Sequence, residues 1–167
     1  MTDIPVLTFI AKSGSGKTTL MEKLIAELKR RGYRLVTIKH HSHAGFEVDK
    51  PGKDSWRFAQ AGSDHVIIAA PDKIASYRKL EVELTLDEIM EGISGMDLIL
   101  VEGYKRAGKP AIEIVRESVG TDLIGGDEQL VAVASDVALA VNVPVFDLND
   151  VNGIADFIEN RIIRGQG

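Results

Sequence analysis

The chain has 167 residues, 20 Lys and Arg against 25 Asp and Glu, a net charge of −5 and no cysteine. At 44% apolar and 27% charged residues it has the composition of a folded globule, with enough apolar surface to offset ordering entropy. Disulfides, Cys-ligated zinc and thiol catalysis are excluded; an acidic chain lacks the basic footprint of a general nucleic-acid binder, and no apolar run approaches the ~20 residues of a membrane span. The opening residues, MTDIPVLTFIAK, show neither a basic n-region nor a cleavage site, so no signal peptide is expected and the cytoplasm is the expected compartment.

In chain order, Val6 to Ile10 reads as a short buried strand that runs into a Ser/Gly-rich loop, Ser13 to Lys17. Leu20, Met21, Leu24, Ile25 and Leu28 then recur at helical spacing, and Lys29, Arg30 and Arg31 before Gly32 mark a helix end. Leu35 to Ile38 is the next strand, completing a βαβ crossover and implying a parallel sheet. The polar stretch Lys39 to Gly52 reads as a loop, followed by a short helix over Asp54 to Ala61. His65 to Ala70 and Lys73 to Arg78 flank Pro71-Asp72 as a hairpin. Thr85 and Glu88 form a capping box for a helix to about Ile93. Strands are expected at Leu98 to Val101, Ala111 to Val115, Leu130 to Ala134 and Val145 to Asp147. Asn149 or Asp150 caps a last helix whose Ile154, Phe157, Ile158 and Ile162 share a face. The class is α/β: a three-layer P-loop NTPase fold with a mostly parallel sheet, helices on both faces and a β-hairpin extension. No linker or repeat interrupts the chain, so residues 1–167 are expected to form a single nucleotide-binding domain.

The segment Ala11-Lys12-Ser13-Gly14-Ser15-Gly16-Lys17-Thr18 matches the phosphate-loop pattern G-x-x-x-x-G-K-[ST], with Ala11 in place of the first glycine. Glycines let successive N–H groups curl around a phosphate, and the following helix adds its positive end. Ser13, Gly14, Ser15, Gly16, Lys17, Thr18 and Thr19 are therefore the expected nucleotide contacts. Lys17 can reach the β- and γ-phosphates, and Thr18 can ligate Mg²⁺. Asp97-Leu98-Ile99-Leu100-Val101-Glu102-Gly103 is an apolar strand that delivers Glu102 to the ligand edge of the sheet, where it can hold Mg²⁺ directly or through water. Lys17 and Glu102 are the candidate catalytic pair.

Three further segments carry candidates. Lys39, His40, His41 and His43 follow the second strand, and Asp49 and Lys53 lie in the loop beyond. This reads as a substrate or partner loop, with Asp49 an outer Mg²⁺ ligand and Lys39 and Lys53 phosphate partners. The three His also admit a zinc reading, but without Cys or a helical H-x-x-x-H spacing. The stretch Lys105 to Lys109 is basic and suits an acceptor pocket, a pterin phosphate or an acidic partner surface. Ser135-Asp136 ends a late strand expected beside the phosphate-loop strand. There an aspartate can accept both N1–H and N2–H₂ of guanine, which adenine cannot match. No Gln or His placed to orient water follows Glu102 and no arginine finger is evident, so slow hydrolysis is expected.

Taken together, SGSGKTTL, IKHHSH, EVDKPGKDSWRFAQAG, DLILVEGYK, AVASD and DLNDVNGIADFI resemble the molybdopterin-guanine dinucleotide biosynthesis adaptor (MobB) family from Val6 to about Ile158. The resemblance implies a GTP-binding protein with weak GTPase activity and Mg²⁺ as cofactor. It implies a homodimer that associates with the molybdenum cofactor guanylyltransferase, which attaches GMP to molybdopterin. It carries phosphate binding to Gly14, Gly16, Lys17 and Thr18, the acid after the apolar strand to Glu102, and the late Ser-Asp pair to Ser135 and Asp136. Lys12, five positions before Lys17, is spaced as in dimeric partitioning-type ATPases, where such a lysine reaches the other subunit's nucleotide. The competing readings are that ATPase and a small-molecule kinase or ligase of the dethiobiotin synthetase kind.

Overall fold

The computed structural model describes residues 3–42 and 45–166. The chain divides into two compact units, Met1–His40 with Leu86–Gly167, and His41–Thr85.

The first unit is built on a six-stranded, fully parallel sheet. Its strands are β1 (Val6–Ala11), β2 (Leu35–Lys39), β5 (Leu98–Glu102), β6 (Ala111–Val115), β7 (Leu130–Ser135) and β8 (Val145–Asp147), in the spatial order β2-β5-β1-β6-β7-β8. β1, β5 and β6 are buried on both faces and largely apolar, as strands covered by helices or loops must be. On one face, Leu7, Phe9, Leu98, Leu100, Ile112 and Ile114 pack with Leu20, Leu24 and Leu28 of α1 (Lys17–Arg30) and Ile154, Ile158 and Ile162 of the C-terminal helix. On the other, Val6, Ile99 and Val101 pack with Leu86 and Met90 of α3 (Leu86–Met90). Val115, Leu130 and Val133 are covered there by Leu123, Leu139, Val141 and Val143 from loops.

The last helix begins as expected, with Asp150 Oδ1 accepting the Gly153 N–H at 2.9 Å. It runs as α4 (Val151–Phe157), widens into a π-helical turn over Ile158–Ile163 and tightens over Arg164–Gln166. Arg31 at the end of α1 ties to it: the guanidinium reaches Asp156 at 2.6 Å and Glu159 at 3.0 Å while also holding Glu27 at 2.8 Å. α3 is shorter than the capping box suggests; it stops at Met90, two residues before Gly92, whose backbone freedom disfavours another helical turn.

One expectation about order is corrected. β7, which carries Ser135, is not beside β1; β6 lies between them, paired to β1 on one side and β7 on the other. A buried carboxylate fixes the connection from β6 to β7. Glu113 is 1% exposed, and its two oxygens accept the N–H groups of Ile124 at 2.8 Å and Gly125 at 2.9 Å.

The second unit holds the hairpin β3 (His65–Ala70) and β4 (Lys73–Arg78), an antiparallel pair, with α2 (Asp54–Gln60) against β3. Much of its apolar surface is open: Phe46, Val48, Phe58, Ile67, Ile74 and Val82 are all exposed.

Candidate functional site

In a parallel sheet all strands end on one edge, and here that edge collects the candidate residues. Reading across it, β2 ends in Lys39, β5 in Glu102, β1 runs into the phosphate loop, β6 is followed by Arg116, and β7 ends in Ser135 before Asp136. The register places Lys39 opposite Glu102 and Glu102 opposite Phe9.

The loop after β1 has the shape its glycines permit. Gly14 and Gly16 take φ of 81° and 84°, left-handed values at which other residues are strained. The hydroxyl of buried Ser15 donates to the Lys12 carbonyl at 2.9 Å, closing the turn. Gly16 is the N-cap of α1, with no side chain capping it. The first-turn N–H groups that a helix leaves without intrahelical partners therefore come at the end of the loop. No acid stands in that first turn, so nothing there competes with an anion for the helix dipole. Thr18 and Thr19, in the same turn, are exposed.

Lys17 Nζ lies 3.5 Å from Glu102 Oε1, with the two side chains only 21% and 16% exposed. Lys39 Nζ lies 3.8 Å from the other oxygen of Glu102. One carboxylate thus sits between two ammonium groups, leaving a local excess of one positive charge beside the loop. The turn after Glu102 is tight. Gly103 has φ of 96°, and a Cβ on it would come within 2.9 Å of the His40 Cβ. Tyr104 takes the left-handed φ of 50° and its ring packs 4.4 Å from the His40 imidazole. His40 N–H donates to the Glu102 carbonyl at 2.9 Å. The close approach of these two segments explains why a glycine follows Glu102.

At the other end of the row, Asp136 Oδ1 accepts the N–H of Glu117 at 2.8 Å, and its Oδ2 lies 3.7 Å from Arg116 Nη1. Ser135 Oγ accepts the N–H of Val137 at 3.1 Å. Arg116 Nε donates to the Ser15 carbonyl at 3.3 Å. Arg116 is the residue sequence reasoning passes over. It belongs to no motif, and only the strand order shows that it stands next to the loop.

The remaining candidates divide. Lys12 Nζ pairs at 3.8 Å with exposed Asp122. Lys105 is exposed, and Lys109 is engaged by Asp87 at 2.7 Å. Asp49 and Lys53 belong to the second unit. There Asp49 is bound by Ser55 and by the Tyr77 hydroxyl at 2.8 Å, contacts that hold its carboxyl below the usual range. His43 lies outside the described residues, and among those described no cluster of three metal-binding side chains occurs.

Metal fit rests on the donor set. A carboxylate and a hydroxyl on exposed or half-buried side chains, Glu102 and Thr18, are hard oxygen ligands suited to Mg²⁺ shared with phosphates.

Comparison with known proteins points one way. Residues 6–136 match the family model described as molybdopterin guanine dinucleotide synthesis protein B, MobB. The molybdopterin-guanine dinucleotide biosynthesis adapter protein of Haemophilus influenzae is 43% identical over 159 residues, 94% of this chain and 89% of that one. The protein of the same description from Escherichia coli is 43% identical over 163 residues, 94% and 93% of the two chains. A crystal structure of molybdopterin-guanine biosynthesis protein B superposes with a TM-score of 0.74 at 30% identity, covering 94% of this chain and 99% of that one. Bacillus subtilis MobB, 24% identical with a TM-score of 0.75 over 95% and 98% of the chains, shares the fold.

Proposed function

The chain belongs to the molybdopterin guanine dinucleotide synthesis protein B family, and from that premise we propose that it is a GTP- and Mg²⁺-binding adaptor that assists attachment of GMP to molybdopterin through a partner guanylyltransferase. The observation that carries the nucleotide reading is the row of Lys39, Glu102, phosphate loop, Arg116 and Asp136 along one sheet edge. It offers a phosphate end and a base end on one surface.

In this reading the triphosphate lies in the loop, where Gly14 and Gly16 free the backbone N–H groups to face it and Lys17 turns from Glu102 to the phosphate oxygens. Thr18 and Glu102 would hold Mg²⁺, which supplies charge neutralisation at the phosphates. Lys39 keeps Glu102 compensated when Lys17 leaves it. Asp136 accepts guanine's two donors, its Oδ1 already oriented by Glu117. Gly103, Tyr104 and Lys105, the residues that follow Glu102, include no Gln or His to orient an attacking water, which suits a binding adaptor with slow turnover. The open apolar surface of the hairpin unit supports a homodimer, since exposed apolar clusters of this kind commonly mark association surfaces.

The test is reconstituted guanylylation of molybdopterin with a guanylyltransferase of this pathway, with and without the protein. Faster or more complete product formation on addition supports the adaptor role. No effect, together with phosphate transfer to a small acceptor by the protein alone, would favour a kinase.

A further inference from the structure

One guanidinium joins the two ends of the row. Arg116 Nε donates to the Ser15 carbonyl of the phosphate loop at 3.3 Å, and Nη1 faces Asp136 Oδ2 at 3.7 Å. Nη2 lies so close to Gly16 that a Cβ there would come within 3.2 Å of it. The side chain is 41% exposed, so part of the guanidinium remains open to a ligand. On Asp136 the two oxygens differ. Oδ1 is committed to the Glu117 N–H at 2.8 Å, whereas Oδ2 faces a cation beyond hydrogen-bond length and keeps lone pairs for incoming donors.

We propose that Arg116 is a specificity-determining residue of the nucleotide site, holding Asp136 oriented for guanine's donors and presenting its cationic plane along the path a nucleotide takes from the loop to that acid. The inference rests on the GTP reading of the site. Its chemistry follows from the side chain. Arginine stays charged at any working pH, so the acid always faces a cation across the 3.7 Å between Nη1 and Oδ2. Its rigid fork can engage the Ser15 carbonyl and the acid at once. Lysine, a single point charge on a flexible stem, cannot span both. Glu117, the other charged residue at this turn, adds only its backbone N–H. Loss of the arginine therefore disorders the base end as well as the loop. A guanine nucleotide, which needs Asp136, is weakened more than an adenine nucleotide, which does not.

The experiment measures the dissociation constants of GTP and ATP, with Mg²⁺ present, for the wild type, Arg116→Lys and Arg116→Ala. The quantity read is the ratio of the two within each variant, which a partly unfolded sample does not alter. The wild type is expected to prefer GTP. Arg116→Lys is expected to reduce that preference by about tenfold, the scale of one charge-assisted contact, and Arg116→Ala by at least as much. Equal weakening of both nucleotides, or none, overturns the inference and leaves Arg116 a brace of the loop. A wild type with no preference for GTP overturns the base-reading site itself, and this inference with it.

Discussion

Lys17 at the start of α1 and Glu102 at the end of β5 stand 3.5 Å apart, and Lys39 at the end of β2 approaches the other oxygen of the same carboxylate at 3.8 Å. The arrangement keeps Lys17 over the loop without committing it to a short hydrogen bond. A triphosphate can draw it away while Lys39 remains with Glu102.

Lys17→Ala should lose most triphosphate affinity while the protein stays folded, because the side chain lies at the start of α1, outside the apolar core. A charge-assisted contact contributes about 1.5–3 kcal/mol, or about 10–150-fold in binding. GTP affinity within a factor of two of wild type, measured on a variant with an unchanged circular dichroism spectrum, would rule out the phosphate-loop assignment.

Glu102→Gln separates the metal from the phosphate. Without Mg²⁺ the native carboxylate repels a triphosphate, so the variant should bind GTP in EDTA as well as wild type or better. With Mg²⁺ it should show little of the gain that wild type shows, since a metal ligand is gone. If Mg²⁺ improves binding equally in both proteins, Glu102 does not serve the metal.

Asp136→Asn should weaken GTP and favour XTP. Glu117 N–H will select the new carbonyl oxygen in place of Oδ1, which turns the amide N–H₂ toward the base. That donor opposes one of guanine's own donors but meets a carbonyl of xanthine. A competition assay that leaves the GTP preference intact and XTP no stronger would show the base is read elsewhere.

Acid stability should trace to the C-terminal end of α1 and the start of β5. Hydrogen bonds from Arg30 and Arg31 lower the Glu27 pKa to about 2, and those from Arg34 lower that of Asp97 to about 2. A carboxyl depressed on folding stabilises the protein above its unfolded pKa, and that contribution fades as pH falls through the folded value. Thermal midpoints should hold from neutrality to about pH 5, then fall between about 4.5 and 2. Arg31→Met, which also removes the Arg31 contacts to Asp156 and Glu159, should flatten this decline. An unchanged acid slope in that variant would show that other carboxylates set it.

The elements were legible because their signals are local. The alternation of apolar runs and helical spacing located the strands and helices to within a few residues, and the loop residues and Glu102 stand in short motifs. Arg116 was not legible, because its position depends on β6 inserting between β1 and β7, a choice made by packing the whole sheet. The same insertion moved Asp136 one strand further from the loop than expected and supplied the arginine that bridges the gap. Asp49, read from the sequence as an outer Mg²⁺ ligand, has contacts that the sequence did not show: its carboxylate is engaged by Tyr77 and Ser55 within the hairpin unit.

The most direct test is calorimetric titration of the purified protein with GTP and with ATP, each with Mg²⁺ and with EDTA. The account predicts saturable GTP binding strengthened by Mg²⁺, with ATP weaker by at least an order of magnitude under the same conditions. Equal affinity for ATP, or GTP binding indifferent to Mg²⁺, would contradict it.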